Sequence, residues 1–302
     1  MAEMQEYLQK AQTLMEALPY IREFSGKTVV IKYGGAAMAG EERMSSFAEN
    51  IVLLQYVGIR PVVVHGGGPQ IDRMLEKLSI PSRRKEGLRV TSPEAMEVVE
   101  MVLGGTVNKQ IVALINLYGG KAVGLTGKDG DLIRARKHFA PSPAGGDTPP
   151  LDLGLVGEVV EVRPAVLRAL EGNGFVPVIA PIGVGAKGEA YNINGDTVAA
   201  EVAGALSAEK LILLTDVPGV MDAQGRLVST MTAGGTAAAI RDGTITGGMI
   251  PKVECGLTAL DKGVRKVHIL DGRVPHSVLL EIFTDAGIGT EINPPEPEKR
   301  GA

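Results

Sequence analysis

Two lysines, an aspartate and a set of glycine clusters are the residues of this chain best suited to chemistry on an anion. Lys32 stands one position before Tyr33-Gly34-Gly35, at the end of the apolar run TVVIKYGG (28–35). A second apolar run closes on His65-Gly66-Gly67-Gly68-Pro69 and gives way to QIDRMLEKL, a helix pattern with proline suited to its first positions. Glycines let backbone N–H groups approach an anion closely, and a helix amino terminus adds the positive end of its dipole, so a phosphate site is the natural inference. The plain alternative is a tight strand-to-helix turn, which glycine triplets also serve. Taken alone, Lys32 reads more readily as a solvated charge at a strand end. Asp196 follows Asn192-Ile193-Asn194-Gly195 and opens the helix TVAAEVAGAL, where it could be an amino-terminal cap. Lys252, after Gly247-Gly248-Met249-Ile250-Pro251, opens a further helix around 253–263. A cation in a first helical turn opposes the helix dipole, so its presence there makes sense if an anion binds beside it.

Several familiar chemistries do not fit. The glycine pattern is neither GxxxxGK[ST] nor a clean GxGxxG with an acidic residue after the next strand, which weakens Walker-type and dinucleotide readings. A formal charge of −4 and scarce aromatic residues leave no basic, base-stacking surface for nucleic acid. Cys255 is the single cysteine, so no internal disulfide forms, and its place on the helix after Lys252 suits a small core residue better than a nucleophile. Glu3, Glu6 and Lys10 stand where a signal peptide needs an apolar stretch, and no apolar run of about 18 residues is present to span a bilayer; a cytoplasmic protein is expected.

The elements that must position these residues are short β-branched runs alternating with helix-length segments: 28–35, 61–68, 121–127, 176–183, 210–216 and 264–270. That alternation predicts an α/β fold with a mainly parallel central sheet and helices on both faces, a three-layer αβα sandwich. Ligands gather at the carboxyl ends of such strands, where the glycine clusters lie. Residues 2–18 read as a helix whose Met4, Leu8, Ala11, Met15 and Leu18 form a narrow apolar seam; it either packs on the chain's own body or is exchanged with another subunit. Proline and glycine in 138–156 argue against regular structure there and for an excursion loop or hairpin. The run Arg83-Arg84-Lys85-Glu86 reads as a solvated loop, and the tail PPEPEKRGA as a disordered end. A lobe boundary falls near 183–192, dividing the chain into an amino-terminal arm (1–27), an N-lobe (28–185) and a C-lobe (186–302).

Taken in order, IKYGG, VVHGGGPQI, GLRVTS, YNINGDTVAAEVA, LLTDVPGV and ITGGMIPKVE make the chain resemble the acetylglutamate kinases of the amino acid kinase superfamily, from about Thr28 to Ile292. Sister kinases share the lysine-glycine-glycine start, but HGGGP together with GLRVT and NINGD points to the acetylglutamate branch. The resemblance implies transfer of the γ-phosphoryl group of ATP, with Mg2+, to the side-chain carboxylate of N-acetyl-L-glutamate. The nucleophile is then already an anion and needs no general base, in keeping with only four histidines and no convincing His/Asp dyad.

By that similarity Lys32 and Lys252 stabilise the moving phosphoryl group and Asp196 holds both ammonium groups. Backbone amides of Gly34, Gly35, Gly66, Gly67 and Gly68 contact the phosphoryl group and the reacting carboxylate, Gly67 and Gly68 matching the substrate-contacting pair. Arg89 grips the α-carboxylate through its planar guanidinium. Asn192 binds the other end of the amino acid, Asp216 and Gly219 belong to the nucleotide contacts, and Mg2+ is held mainly by phosphates and water, with no protein metal ligand.

The leading helix before Tyr20 and the stretch 276–292 resemble the arginine-inhibited members. They imply a hexamer linked by swapped helices and L-arginine bound near Tyr20, Glu281 and Gly287. Competing readings are another carboxylate or phosphate kinase of the superfamily, an arginine-sensing module that docks a PII-type protein, and an NADH-dependent oxidoreductase, which would need an acidic residue where Pro69-Gln70 stand.

Overall fold

The computed structural model describes residues 2–85, 87–140, 149–285 and 287–295. Helix α1 (Ala2–Phe24) leads into strand β1 (Thr28–Tyr33), a 3₁₀ turn (Gly35–Met38), α2 (Glu41–Tyr56), β2 (Arg60–His65) and α3 (Gly68–Lys77). A small hairpin of β3 (Arg83–Lys85) and β4 (Leu88–Val90) precedes α4 (Pro93–Glu100), a π-helical segment (Met101–Val107) and α5 (Asn108–Leu117). Then come β5 (Ala122–Leu125), β6 (Ile133–Ala140), β7 (Leu151–Val162), α6 (Ala165–Gly172), β8 (Val176–Ile179), β9 (Ile182–Val184), β10 (Ala190–Asn192) and α7 (Gly195–Leu206). The chain ends through β11 (Lys210–Thr215), β12 (Thr230–Thr232), α8 (Ala233–Arg241), α9 (Ile250–Asp261), β13 (Lys266–Asp271), α10 (Ser277–Ile282) and β14 (Thr290–Asn293).

Eight strands form one sheet in the order β12-β14-β13-β11-β1-β2-β8-β5, parallel throughout except where β14 meets β13. All six runs expected to be strands lie in it. The central ones carry continuous apolar interiors, 61–64 in β2 and 211–214 in β11, because both faces are covered. Side-chain alternation sorts β1: Val29, Ile31 and Tyr33 pack with Phe47, Ala48 and Ile51 of α2, while Val30 packs with Val198, Ala199 and Val202 of α7. Lys32 has the parity of Val30, so the strand delivers it to the α7 side.

A second, four-stranded system of β10, β7, β6 and β9 closes on itself beside the main sheet. The expected turn at 183–192 is the β9–β10 hairpin within it. The segments assigned to two lobes share one continuous sheet, since β1 pairs with β11 in register, Lys32 opposite Leu213.

Two expectations need correction and two further readings are narrowed. Regular structure penetrates 138–156 from both ends: β6 and β7 pair antiparallel, with Ala140 opposite Leu151, because Leu153 and Val156 bury themselves against Ala140 despite the nearby prolines. The excursion is therefore a hairpin; residues 141–148 lie outside those described. Arg83–Lys85 is an exposed strand, with Arg84 opposite Arg89, and Glu86 lies outside the described residues. Pro93–Leu117 is long and apolar enough to cross a membrane; as one continuous helical stretch it feeds Val98, Val99, Val102, Val107, Ile111 and Ile115 into the core. Finally, the seam on α1 is not covered by the chain's own body: Met4, Leu8 and Met15 are each more than 60% exposed. Of the tail, 296–302 lie outside the described residues.

Candidate functional site

Three helix starts meet at the carboxyl ends of β1, β2 and β11. Helix α3 begins at Gly68, two residues earlier than the apolar pattern suggested, with Gly67 as its cap residue and Pro69 in the first turn. Its first N–H groups have no intrahelical acceptor and are available to a ligand. Helix α7 begins at Gly195, and its cap is Asn194, whose side chain accepts from the Asp196 N–H at 2.7 Å. Asp196 is thus not the cap. Its carboxylate sits in the first turn, free of the capping role and available to neighbouring side chains. Helix α9 starts at Ile250 with Pro251 in its first turn, which places Lys252 at the mouth of the helix.

Lys32 Nζ lies 2.9 Å from Asp196 Oδ1 and Lys252 Nζ donates to Asp196 Oδ2 at 3.1 Å. All three side chains are less than one-fifth exposed. Burial alone would raise the Asp196 carboxyl pKa, but the two ammonium groups outweigh it and hold the group below the ordinary carboxylate value. The anion that the helix dipole argument demanded beside Lys252 is, in the first instance, this aspartate. Two cations against one anion still leave an excess positive charge.

That excess stands between two cavities. One, of about 330 Å³, is lined by Lys32, Gly35, Gly66, Gly67, Gly68, Arg89, Asn192 and Asp196. The other, of about 420 Å³, is lined by Asp216, Gly219, Met221, Thr246, Met249 and Lys252. Asp196 therefore ties a lysine from each cavity to one carboxylate. A separate hollow of about 490 Å³ between α2 and the turn after β13 contains none of the three.

The glycines are close-packed for a reason. A Cβ at Gly34 would lie 3.3 Å from the Gly66 backbone and 3.3 Å from Lys32 Nζ. Gly66 gives its N–H to the Tyr33 carbonyl at 2.7 Å, so it joins the two glycine loops and leaves the amides of Gly67 and Gly68 as the donors of that turn. Gly35 takes φ +61°, a left-handed conformation few other residues hold. In the second cavity, a Cβ on Gly219 would meet Thr290 Oγ1 at 2.6 Å.

Arg89 is buried on β4, not a surface arginine. Its Nη1 pairs with Asp72 and its Nη2 donates to the Gly68 carbonyl at 3.1 Å, so the guanidinium is braced against the glycine loop. Hydrogen bonding to Arg89 holds the Asp72 carboxyl at about 2. Asp72 is not singled out by the sequence, since α3 carries a second acid, Glu76, and only the fold shows which of the two meets Arg89. Asn192 donates to Thr91 Oγ1 at 3.3 Å at the cavity's far wall. Cys255 is partly buried, its thiol pushed up to about 11 by burial, which makes it a poor nucleophile.

Tyr20, Glu281 and Gly287 come together elsewhere, around a hollow of about 220 Å³ between α1 and the end of the chain. Tyr20 donates to Asp285 Oδ1 at 2.5 Å. Glu281 is buried, not solvated: it accepts from His268 Nδ1 at 2.6 Å and from the Ile288 N–H at 2.9 Å. Gly287 has φ +59°, and a Cβ there would lie 2.9 Å from Glu281.

The amino acid kinase family model matches residues 27–271. The acetylglutamate kinase of Syntrophobacter fumaroxidans is 60% identical over 287 residues, covering 94% of this chain and 96% of that protein. Among solved structures, N-acetylglutamate synthase from Neisseria gonorrhoeae, complexed with coenzyme A and N-acetyl-glutamate, superposes with a TM-score of 0.82 at 28% identity. The same synthase complexed with coenzyme A and L-arginine gives 0.78 at 26%. Both comparisons cover 94% of this chain, which spans 63% and 65% of those longer chains. The chain belongs to the amino acid kinase family and, within it, to the acetylglutamate kinases.

Proposed function

We propose that the chain transfers the γ-phosphoryl group of ATP to the side-chain carboxylate of N-acetyl-L-glutamate, giving the acyl phosphate and ADP. The observation that carries this is the Lys32–Asp196–Lys252 arrangement at the junction of two cavities. Two unit negative charges brought to 4 Å repel by about 4 kcal/mol at an effective dielectric of 20, so bringing a carboxylate to a polyphosphate is the main obstacle. The substrate cavity presents Arg89 for the α-carboxylate and the Gly67 and Gly68 amides for the reacting end. The second cavity, with Asp216 and Gly219, takes the nucleotide. In transfer, a carboxylate oxygen forms a bond to the γ-phosphorus while the bond to the β-γ bridging oxygen breaks and leaves with ADP. Lys32 and Lys252 neutralise the charge that spreads over the moving group, and Asp196 keeps both ammonium groups aimed without consuming their full charge.

Mg2+ fits this site as a partner of the phosphates. Asp196 Oδ1 is buried and makes an ion pair but no hydrogen bond, so it can accept from one of the ion's waters. When bound, the ion would neutralise phosphate charge. The segments 28–185 and 186–302 act as substrate and nucleotide lobes on this reading.

A hydroxamate assay with hydroxylamine tests the activity: acyl phosphate should form with ATP and N-acetyl-L-glutamate. Turnover of aspartate, glutamate or a nucleoside monophosphate in its place would move the chain to a sister kinase.

We also infer feedback inhibition by L-arginine at the Tyr20–Glu281 hollow. Glu23, Glu281, Asp285 and Glu291 line it against Lys210 and Lys266, an acidic excess that suits a guanidinium ligand. The exposed seam of α1 supports exchange of that helix between subunits, as in a hexamer.

A further inference from the structure

Strand parity gives β2 a second polar residue at its end, on the face opposite the cleft. Val62 and Val64 pack toward α7, Val63 packs toward α5, and His65 shares the parity of Val63. Its side chain is wholly buried, and the reaction described above makes no direct use of it. The ring nonetheless reaches the glycine loop from behind. His65 Nδ1 lies 2.8 Å from the Gly66 carbonyl oxygen, and His65 Nε2 lies 3.2 Å from Asn108 Nδ2.

The partners of Asn108 decide which nitrogen carries the proton. Its Nδ2 also donates to the Val178 carbonyl at 2.9 Å, and its Oδ1 accepts from Lys109 Nζ at 3.1 Å. A carbonyl can only accept and an ammonium can only donate, so the amide is fixed with its NH2 toward Val178 and His65. His65 Nε2 must then accept, and Nδ1 must carry the hydrogen and donate to the Gly66 oxygen. Burial lowers the imidazole pKa to about 4, and the Lys109 ammonium acts in the same direction.

In a trans peptide the C=O and the following N–H point in opposite directions. Holding the Gly66 oxygen against a buried ring therefore turns the Gly67 N–H outward, on the side where Gly66, Gly67 and Gly68 line the substrate cavity. We infer that His65, its tautomer set by Asn108, is a positioning residue for phosphoryl transfer that locks the Gly66–Gly67 peptide so that its N–H faces the reacting oxygens. This rests on the kinase reading above and adds to it a residue that touches no substrate.

Local construction agrees. Asn108 is the first residue of α5, directly after the π-helical Met101–Val107, whose extra residue per turn shifts the register of α5 relative to α4. Gly124 on β5 leaves the space for it: a Cβ there would fall 1.8 Å from Asn108 Oδ1. The relay thus spans β2, α5, β5 and β8, and each contributes one fixed contact.

Three substitutions separate positioning from packing. His65→Asn keeps an N–H near the Nδ1 position, His65→Gln keeps a polar atom near Nε2 but not that donor, and His65→Leu keeps neither. We expect kcat in the hydroxamate assay to fall about 10- to 100-fold for His65→Gln and His65→Leu, less than the 10²- to 10³-fold typical of deleting such a donor outright. KM for both substrates should stay within threefold, because the N–H acts most on charge that develops during transfer. His65→Asn should recover to within fivefold of the unsubstituted enzyme. Equal kcat for Gln and the unsubstituted enzyme, a loss confined to KM, or no recovery with Asn would each overturn the inference. If the variants fail to fold, ¹⁵N NMR of the intact enzyme decides: Nδ1 protonated and Nε2 bare from pH 8 to 5 supports it, and an Nε2–H tautomer or an imidazolium at pH 6 overturns it. Absence of hydroxamate from the unsubstituted enzyme would strike the kinase reading while leaving the tautomer measurement standing.

Discussion

Two ion clusters in this molecule, each with a buried centre, combine basic and acidic side chains and end with opposite signs. In the cleft, two lysines share one aspartate, leaving positive charge over. At the carboxyl-terminal hollow, Lys210 Nζ donates to His268 Nε2 at 3.2 Å and His268 donates to Glu281, with Glu23, Asp285 and Glu291 close by, leaving negative charge over. Each cluster is packed too tightly to be an incidental surface pair, and neither is balanced internally. The sign of the remainder accords with the ligands proposed for each: phosphate and carboxylate at the first, a guanidinium at the second.

The most damaging way to break the contrast is to remove a positive charge from the cleft. Lys252→Met, or Lys32→Met, should lower kcat by on the order of 10²- to 10³-fold, the range seen when one group stabilising the transition state is removed. Lys252→Met retaining turnover within threefold would sink the catalytic assignment. Arginine binding at the other cluster, followed by thermal shift, should be unchanged, because Lys252 is not among the residues lining that hollow.

A smaller effect comes from two buried histidines shifted in the same direction, His65 behind the glycine loop and His268 within the carboxyl-terminal cluster. For His65 the folded value of about 4 lies below the unfolded 6.5. Between those values the unfolded chain binds more protons than the folded one, so stability falls as pH drops from 6.5 toward 4 and is unaffected above. At pH 5 the loss from His65 alone is about 2 kcal/mol. His268 is shifted in the same direction, chiefly by burial, and adds to it. Urea midpoints at pH 7.5 and 5 measure the sum, and His65→Leu should flatten the difference. An unchanged pH slope in that variant would mean the ring is not held neutral.

How much of this is readable in the sequence divides along the same line. The strands, their mainly parallel arrangement and the approximate helix starts come from apolar runs ending in glycine, because a doubly covered parallel sheet demands such runs; the strand order does not. Lys252 stands out because a cation in a first helical turn opposes the dipole, whereas Lys32 reads alone as a strand-end charge and gains meaning only beside the glycine pair that follows it. Their partnership through Asp196 is not in the spacing: it depends on β1 placing Lys32 on the α7 face, and the same parity puts His65 on the other side of the sheet. Asp196 itself resembles a cap in sequence, and only the geometry shows Asn194 taking that part. The hairpin arms at 138–140 and 151–156 are hidden because nearby prolines outweigh the pattern of Leu153 and Val156. Glu281 cannot be told from a solvated acid, since its burial arises from His268, thirteen residues away on another element, and from the left-handed turn at Gly287.

The gentlest test works on the negative cluster. Glu281→Gln keeps the side chain's shape and an oxygen able to accept from His268, but removes the charge and the second acceptor now used by the Ile288 N–H. Hydrogen bonds between charged groups contribute about 1.5–3 kcal/mol, so the arginine concentration for half-inhibition should rise at least about tenfold. Turnover without arginine should stay within twofold, since Glu281 lines neither cavity of the cleft. Inhibition that survives the substitution unchanged would place the inhibitor elsewhere. Loss of turnover without arginine would instead show that the two clusters are coupled, the negative one helping to hold β13 beside β11 and so the carboxyl ends of the strands that carry the positive one.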